Sequence, residues 1–167
     1  FPRISNFTDF NVFSGIPGVS LRYVTRACDL GTPDMVILPG TKNTIHDLLW
    51  MRQNGLEAAI LKLADRQVPV WGICGGYQMM GEVLVDEKGV ESDLPSRTSG
   101  MGLLPLKTEF EEEKIRTQVE GAFGQLDGCL GGLSGKSIEG YEIHMGRTYI
   151  DREEGAADTA RIVSWRR

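Results

Sequence analysis

The chain has 167 residues, of which 41% are hydrophobic and 25% charged, a composition that predicts a globular domain with its own core. The formal net charge of −5 argues against a nucleic-acid-binding or anionic-membrane-binding surface, and no apolar run approaches the roughly 20 residues of a membrane span. Glycine is the exception to this ordinary composition, because its 21 residues are nearly twice the usual share of about 7%.

The cysteines indicate a reducing environment. Cys28, Cys74 and Cys129 are odd in number and irregular in spacing, which argues against a disulfide framework. No C-x-x-C pair or Cys/His cluster indicates zinc, so we expect a cytoplasmic protein without a metal. Phe1–Arg3 shows neither the basic nor the apolar region of a secretion signal. We therefore expect a single domain over residues 1–167 that is part of a longer polypeptide, truncated at both ends.

Three strands are predicted in the first half of the chain. Val19–Thr25 alternates apolar and polar residues, as a half-buried strand does. Asp34–Leu38 contains a short apolar run that stops at a Pro-Gly pair, and Pro69–Ile73 is a similar run that leads into a Cys-Gly-Gly sequence. Both runs are typical of buried parallel strands.

Three helices are predicted around these strands. The first begins with a cap at Asn43 or Thr44, with Asp47 placed for a capping box, and it ends before Gly55. Apolar residues at i, i+3, i+4 and i+7 predict the second helix over 56–66, and the third is predicted over 77–85. This alternation predicts an α/β fold with an open, mostly parallel sheet flanked by helices.

The second half of the sequence is predicted to add antiparallel strands. Leu103–Phe110 and Lys114–Val119 have strand character and are separated by the acidic stretch Glu111–Glu113, which we interpret as a turn. Ser137–His144 is predicted to be a further strand after a glycine-rich segment. We expect these strands to extend the sheet of the first half.

The most specific local signal is Gly72–Gln78, whose sequence is G-I-C-G-G-Y-Q. A nucleophile between small residues, at the end of a strand and the start of a helix, is the layout of a nucleophile elbow. The helix N-terminus favours the thiolate of Cys74, and the backbone N–H of Gly75 is placed to stabilise an oxyanion. The alternative is a buried core cysteine before a tight turn.

A second turn and two histidines complete the candidate residues. Pro39–Asn43 follows the other buried strand, so its amides can supply an oxyanion donor and Lys42 can reach a carboxylate; the alternative is a plain turn with a solvated lysine. His144 is the candidate base for Cys74, and the alternative is a histidine that shapes the site or contacts substrate. We expect His46 to be solvated.

Two glycine-rich segments fall short of nucleotide-binding motifs. Gly131–Ser137 has one residue too few between its glycines for a phosphate-binding loop. Gly100–Gly102 is followed by Pro105 where the dinucleotide fingerprint requires glycine. We therefore expect no nucleotide cofactor in this domain.

The sequence Gly72–Gln78 resembles the G-x-C-x-G-x-Q motif of class I glutamine amidotransferases, which implies a flavodoxin-like fold. Further segments resemble, in order, those of the cobyric acid synthase family. This resemblance covers about residues 1–150 and implies a carboxy-terminal amidotransferase domain of that family. The matching segments are Ile4–Phe10, Leu38–Thr44, Gly72–Met79 and Gly140–Thr148.

The resemblance implies a role for each site residue. Cys74 would attack the side-chain amide of glutamine and form a glutamyl thioester, with Gly40 and Gly75 at the oxyanion hole and Gln78 lining the glutamine site. The family places the histidine that pairs with the cysteine in a later G-T-Y-L-H-G segment, which this sequence does not contain. The role of His144 as base therefore stays open, and we expect this sequence alone to be a poor glutaminase.

The resemblance also implies partners. Enzymes of the family amidate peripheral carboxylates of a corrin of the cobyrinic acid a,c-diamide type during cobalamin synthesis. Their amino-terminal synthetase domain uses ATP and magnesium, and it is not expected in this sequence. For the present domain the resemblance implies glutamine as substrate and no cofactor, nucleic acid or membrane partner.

Three other functions stay open at this stage. A Cys–His hydrolase or peptidase shares the elbow, but Gln78 favours glutamine as the substrate. An amidotransferase of a cell-wall-modifying complex shares the elbow as well, but Ile4–Phe10 favours the corrin enzymes. A non-catalytic regulatory module on the same fold would explain the missing histidine, whereas the retained Cys74 argues against it.

Overall fold

The computed structural model describes residues 1–150 except 6 and 93, and these form two compact units. The first unit comprises residues 1–112 and 146–150, and the second comprises 113–145. The helices are α1 (Thr44–Gln53), α2 (Leu56–Asp65) and α3 (Gly75–Met79), with 3₁₀ turns at Phe7–Gly15, Ala27–Asp29 and Gly128–Leu133. The strands are β1 (Val36–Leu38), β2 (Val70–Gly72), β3 (Val83–Asp86), β4 (Ser96–Ser99), β5 (Leu106–Ala122) and β6 (Ser137–Ile150).

The strands form open sheets of mixed direction. Strands β1 and β2 are parallel, with Val36 opposite Val70 and Leu38 opposite Gly72. A second sheet has the order β4-β3-β5-β6, in which β3 is antiparallel to β4 and parallel to β5. The predicted fold class, α/β with an open sheet, flanking helices and antiparallel additions, is confirmed.

The core of the first unit lies between these helices and strands. The side chains of Leu48, Met79 and Leu84 have no exposed surface, and α2 buries the face predicted from its i, i+4 and i+7 positions. Burial of a large apolar side chain contributes about 1.5–3 kcal/mol, so this core holds α1, α2 and α3 against the strands. Within the described residues, no helix combines the length and the apolar character needed to cross a membrane.

Helix α1 begins at the predicted cap, but the capping box is wrong. Asn43 is the N-cap, and its side-chain oxygen accepts a hydrogen bond of 2.9 Å from the backbone N–H of His46. Asp47 is fully buried and accepts hydrogen bonds from the hydroxyl of Thr41 and the backbone N–H of Arg3. Its carboxylate therefore supports the turn before the helix rather than the first helical amide.

Two further element predictions in the first unit are wrong. Val19–Thr25 forms no strand, and Val19 and Tyr23 are 46% and 56% exposed, because no neighbouring strand pairs with this segment. The predicted helix over 77–85 ends at Met79, and β3 follows it. At Gly81 the chain passes so close to its neighbours that an added Cβ would lie 2.7 Å from the carbonyl oxygen of Leu106.

The two strands predicted over 103–110 and 114–119 form the single strand β5, so the predicted turn at 111–113 is wrong. Cross-strand partners on β6 pair with residues of β5 before and within the acidic stretch. Arg147 lies 3.6 Å from the carboxylate of Glu111, and the hydroxyl of Tyr149 donates a hydrogen bond of 2.7 Å to Glu109. Arg147 thus offsets part of the like-charge repulsion at Glu111 within the extended strand.

Candidate active site

Cys74 lies between β2 and α3 in a backbone conformation that residues other than glycine rarely adopt. Its φ and ψ are 50° and −113°, and the residue is exposed to solvent. Such strain persists only where the surrounding structure enforces it, and it is concentrated at functional sites. The exposure excludes the alternative of a buried core cysteine, and the strand–turn–helix geometry is that of a nucleophile elbow.

Two glycines make this turn possible. A Cβ at Gly72 would lie 2.5 Å from the Cα of Tyr77, because α3 folds back directly over the end of β2. A Cβ at Gly76 would lie 2.1 Å from the carbonyl oxygen of Leu38, so the first turn of α3 packs against the backbone of β1. No side chain fits at either position, which explains the glycine frame around the cysteine.

The turn after β1 lies directly beside Cys74. A Cβ at Gly40 would be 3.7 Å from the Cβ of Cys74, and a Cβ at Gly75 would be 2.6 Å from the Cγ2 of Thr41. Because β1 and β2 are parallel neighbours, their carboxyl ends bring the two turns together, which is where open α/β sheets bind ligands. The structure thus brings together Gly40, Cys74 and Gly75 as the sequence predicted.

Backbone pairing with the N-terminal segment supports the turn at Gly40. The backbone N–H of Ser5 donates to the carbonyl of Gly40 at 2.9 Å, and the N–H of Lys42 donates to the carbonyl of Arg3 at 3.0 Å. These bonds fix both sides of the turn, while the side chain of Lys42 is exposed. The N-terminal segment is therefore part of the site, a role that no local pattern indicated.

Gln78 is held inside the site by a residue that the sequence analysis missed. Its side chain is buried, with 5% exposed, and its Oε1 accepts a hydrogen bond of 3.3 Å from the hydroxyl of Thr44. Its backbone N–H donates to the carbonyl of Cys74 at 3.0 Å. Thr44 lies at the start of α1, so only the packing of α1 against α3 reveals its role.

A loop after β3 is built around a buried carboxylate. Asp86 has no exposed surface and accepts hydrogen bonds of 2.7, 2.9 and 2.9 Å from the backbone N–H groups of Val90, Glu91 and Ser92. Burial by itself raises the pKa of Asp86, but these bonds together outweigh it and hold the pKa below its usual range. The loop is therefore fixed by one side chain.

This loop carries Glu91 to the N-terminus of α1. The carboxylate of Glu91 accepts a hydrogen bond from the backbone N–H of Thr44, and its carbonyl accepts one from the side-chain amide of Asn43. Burial raises the pKa of Glu91, and the charge of Asp86 acts in the same direction. No sequence pattern indicated this contact.

The two candidate histidines belong to different units of the chain. His144 is a half-buried residue of β6 in the second unit, whereas Cys74 belongs to the first unit, so their pairing stays a prediction. His46 is exposed, as expected. In the described part of the chain no three His, Cys, Asp or Glu side chains are grouped to hold a metal ion.

The open α/β sheet and the cysteine elbow beside a second glycine turn are consistent with a class I glutamine amidotransferase. The profile of the CobB/CobQ-like glutamine amidotransferase domain matches residues 1–164, and the chain belongs to this family.

Relatives named cobyric acid synthase are similar to most of this chain. It is 56% identical over 154 residues to the protein of Ruminiclostridium cellulolyticum, 52% over 149 residues to that of Moorella thermoacetica, and 50% over 151 residues to that of Yersinia enterocolitica. These matches cover 92%, 89% and 89% of the chain but only 29% of each relative. The chain thus spans less than a third of the length of these curated relatives.

Proposed function

We propose that this chain is the glutamine-hydrolysing domain of a cobyric acid synthase. The observation that carries the proposal is the exposed Cys74 in its strained turn, directly beside the Gly40 turn. A thiolate held there is accessible to a substrate, and the neighbouring backbone amides can stabilise the negative charge that forms on the attacked carbonyl.

In the proposed reaction the sulfur of Cys74 attacks the side-chain carboxamide carbon of glutamine. The oxyanion forms between the turns at Gly40 and Gly75, and its collapse releases ammonia and leaves a glutamyl thioester. Water then hydrolyses the thioester to glutamate. Gln78 lines the glutamine site. Lys42 is exposed on the Gly40 turn, where it would attract the α-carboxylate of the substrate.

The departing ammonia requires a proton, which the base paired with Cys74 supplies after taking it from the thiol. His144 is the candidate base within this sequence. The family resemblance instead implies a histidine in a segment outside it. Substitution of His144 distinguishes these assignments.

The name of the relatives, cobyric acid synthase, supports a proposal for the acceptor of the ammonia. A cobyric acid synthase would transfer it to corrin carboxylates of the cobyrinic acid a,c-diamide type, after a synthetase domain has activated them with ATP and magnesium. These substrates would bind to that domain. The present chain requires glutamine alone and no cofactor of its own.

Labelling with 6-diazo-5-oxonorleucine, a glutamine-shaped electrophile, tests the proposal. We expect alkylation at Cys74 that glutamine competes away and that Cys74→Ala abolishes, read by peptide mass spectrometry. Cys28 is an exposed thiol outside the site and serves as an internal control, because iodoacetamide should label both cysteines. Equal labelling of Cys28 and Cys74 by the glutamine analogue would contradict a formed glutamine pocket.

His144→Ala separates the two candidate bases in the same assay. If His144 activates Cys74, the labelling rate should fall about 100-fold, the lower range of general-base effects. An unchanged rate would assign the base to a residue outside this sequence. A folded chain that is not labelled, even when extended beyond residue 167, would favour the non-catalytic regulatory module.

A further inference from the structure

Glu91 is a half-buried acidic residue that the proposed chemistry does not use. It lies on the loop after β3, and the carboxylate of Asp86 fixes that loop through the backbone N–H groups of Val90, Glu91 and Ser92. The hydroxyl of Ser92 adds a fourth bond of 3.0 Å to the same carboxylate. These four hydrogen bonds hold the backbone of residues 90–92 in one conformation.

The carboxylate and the backbone carbonyl of Glu91 both contact the N-terminus of α1. The carboxylate accepts a hydrogen bond from the backbone N–H of Thr44, and the carbonyl accepts one from the side-chain amide of Asn43. These two residues are the cap and the first residue of α1, where a backbone N–H has no partner within the helix. A carboxylate there also interacts favourably with the helix dipole.

The first turn of α1 forms a wall of the glutamine site. The hydroxyl of Thr44 donates to Oε1 of Gln78 at 3.3 Å. The same hydroxyl oxygen would lie 3.0 Å from a Cβ at Gly75, so Thr44 also limits the position of the backbone after Cys74. A displacement of Thr44 would therefore move both the substrate-lining side chain and the predicted oxyanion donor.

We propose that Glu91 is a positioning residue for the glutamine site, which holds Thr44 in place and thereby sets Gln78 and Gly75. The inference rests on the proposed function for its substrate. It does not require Glu91 to contact glutamine. It predicts that loss of Glu91 weakens recognition of a glutamine-shaped molecule more than it changes the intrinsic reactivity of the thiol.

Three variants of the full chain test this role. Glu91→Ala removes the carboxylate, and Glu91→Gln removes the charge but keeps an oxygen that can accept the backbone N–H of Thr44. Glu87→Ala is the matched control, because Glu87 is an exposed glutamate of the same loop. For each variant, the concentration dependence of labelling by 6-diazo-5-oxonorleucine gives an apparent KI and a maximal rate, and iodoacetamide gives the shape-independent reactivity of Cys74.

We expect Glu91→Ala to raise the apparent KI about tenfold, Glu91→Gln to give a smaller increase, and Glu87→Ala to match the unsubstituted chain. The iodoacetamide rate at Cys74 should stay within about twofold, since the thiol itself is not altered. An unchanged KI in Glu91→Ala, or an equal loss in both Glu91 variants and in the control, would overturn the proposal.

Hydrogen exchange gives a second readout that does not depend on glutamine. In Glu91→Ala, exchange should become faster in peptides covering 41–45 and 75–78, because the chain of contacts through Thr44 is broken. Faster exchange confined to 87–92 would overturn the proposal. If the unsubstituted chain is not labelled even when extended beyond residue 167, the proposed function fails, and the exchange data alone decide whether Glu91 holds the two segments together.

Discussion

The two strand-to-helix turns that meet at the site are built in different ways. After β2 the chain enters α3 directly through the strained Cys74. Glycine is required on both sides of it, because backbone atoms of Tyr77 and of Leu38 on the adjacent strand leave no space for a Cβ. After β1, the turn at Gly40 is held by hydrogen bonds from the distant Ser5 and by pairing of Lys42 with Arg3.

The backbone of one turn is therefore held by steric contacts, and the backbone of the other by hydrogen bonds. The cysteine turn is dictated by close packing, so a single added methyl group should disrupt it. The Gly40 turn depends on polar contacts between remote segments, so its disruption should be graded and should depend on which partner is removed. Substitutions at three positions sharpen this comparison.

The largest effect is expected at Gly76. Gly76→Ala would place a Cβ 2.1 Å from the carbonyl oxygen of Leu38, so we expect a loss of about 3 kcal/mol in the free energy of unfolding. Urea unfolding followed by circular dichroism measures it. Gly15→Ala is the control, because nothing lies within 4 Å of a Cβ there. Similar stability of the two variants would contradict steric control of the cysteine turn.

An intermediate effect is expected at Asp47, which supports the other turn. Asp47→Ala leaves the backbone N–H of Arg3 without its acceptor, at a cost of about 1–3 kcal/mol, whereas the hydroxyl of Thr41 can still donate to the carbonyls of Arg3 and Asn43. Asp47→Asn removes the charge but keeps an acceptor oxygen for the backbone N–H of Arg3. It should therefore be close to the unsubstituted chain in urea unfolding. Equal destabilisation by both variants would show that charge, not hydrogen bonding, holds this turn.

The smallest effect is expected at Cys74 itself. Cys74→Ala keeps the Cβ and its strained φ of 50°, whereas Cys74→Gly relieves the strain. We expect the glycine variant to be more stable than the alanine variant by about 1 kcal/mol in thermal unfolding, while neither is labelled by the glutamine analogue. A less stable glycine variant would mean that the turn stores no strain at the nucleophile.

Sequence patterns predicted the elements whose partners lie nearby along the chain. The periodicity of α2 and the cap at Asn43 are properties of one helix, and both were correctly predicted. Val19–Thr25 has equally regular alternation but forms no strand, because a strand requires a neighbour that no local pattern supplies. The acidic stretch of β5 was mistaken for a turn because Arg147, which pairs with Glu111, is distant in the sequence.

The same distinction between local and remote contacts applies to the candidate site. By itself the sequence determined the α/β class, the cysteine between its glycines and the second turn at Gly40, since these follow from residue size and from the order of strands and helices. Only the tertiary structure decided that Thr44, Asp47 and Glu91 support those turns. Their contacts join segments about 35 to 50 residues apart, and hydrogen bonds between remote segments leave no periodic or spacing signal in the chain.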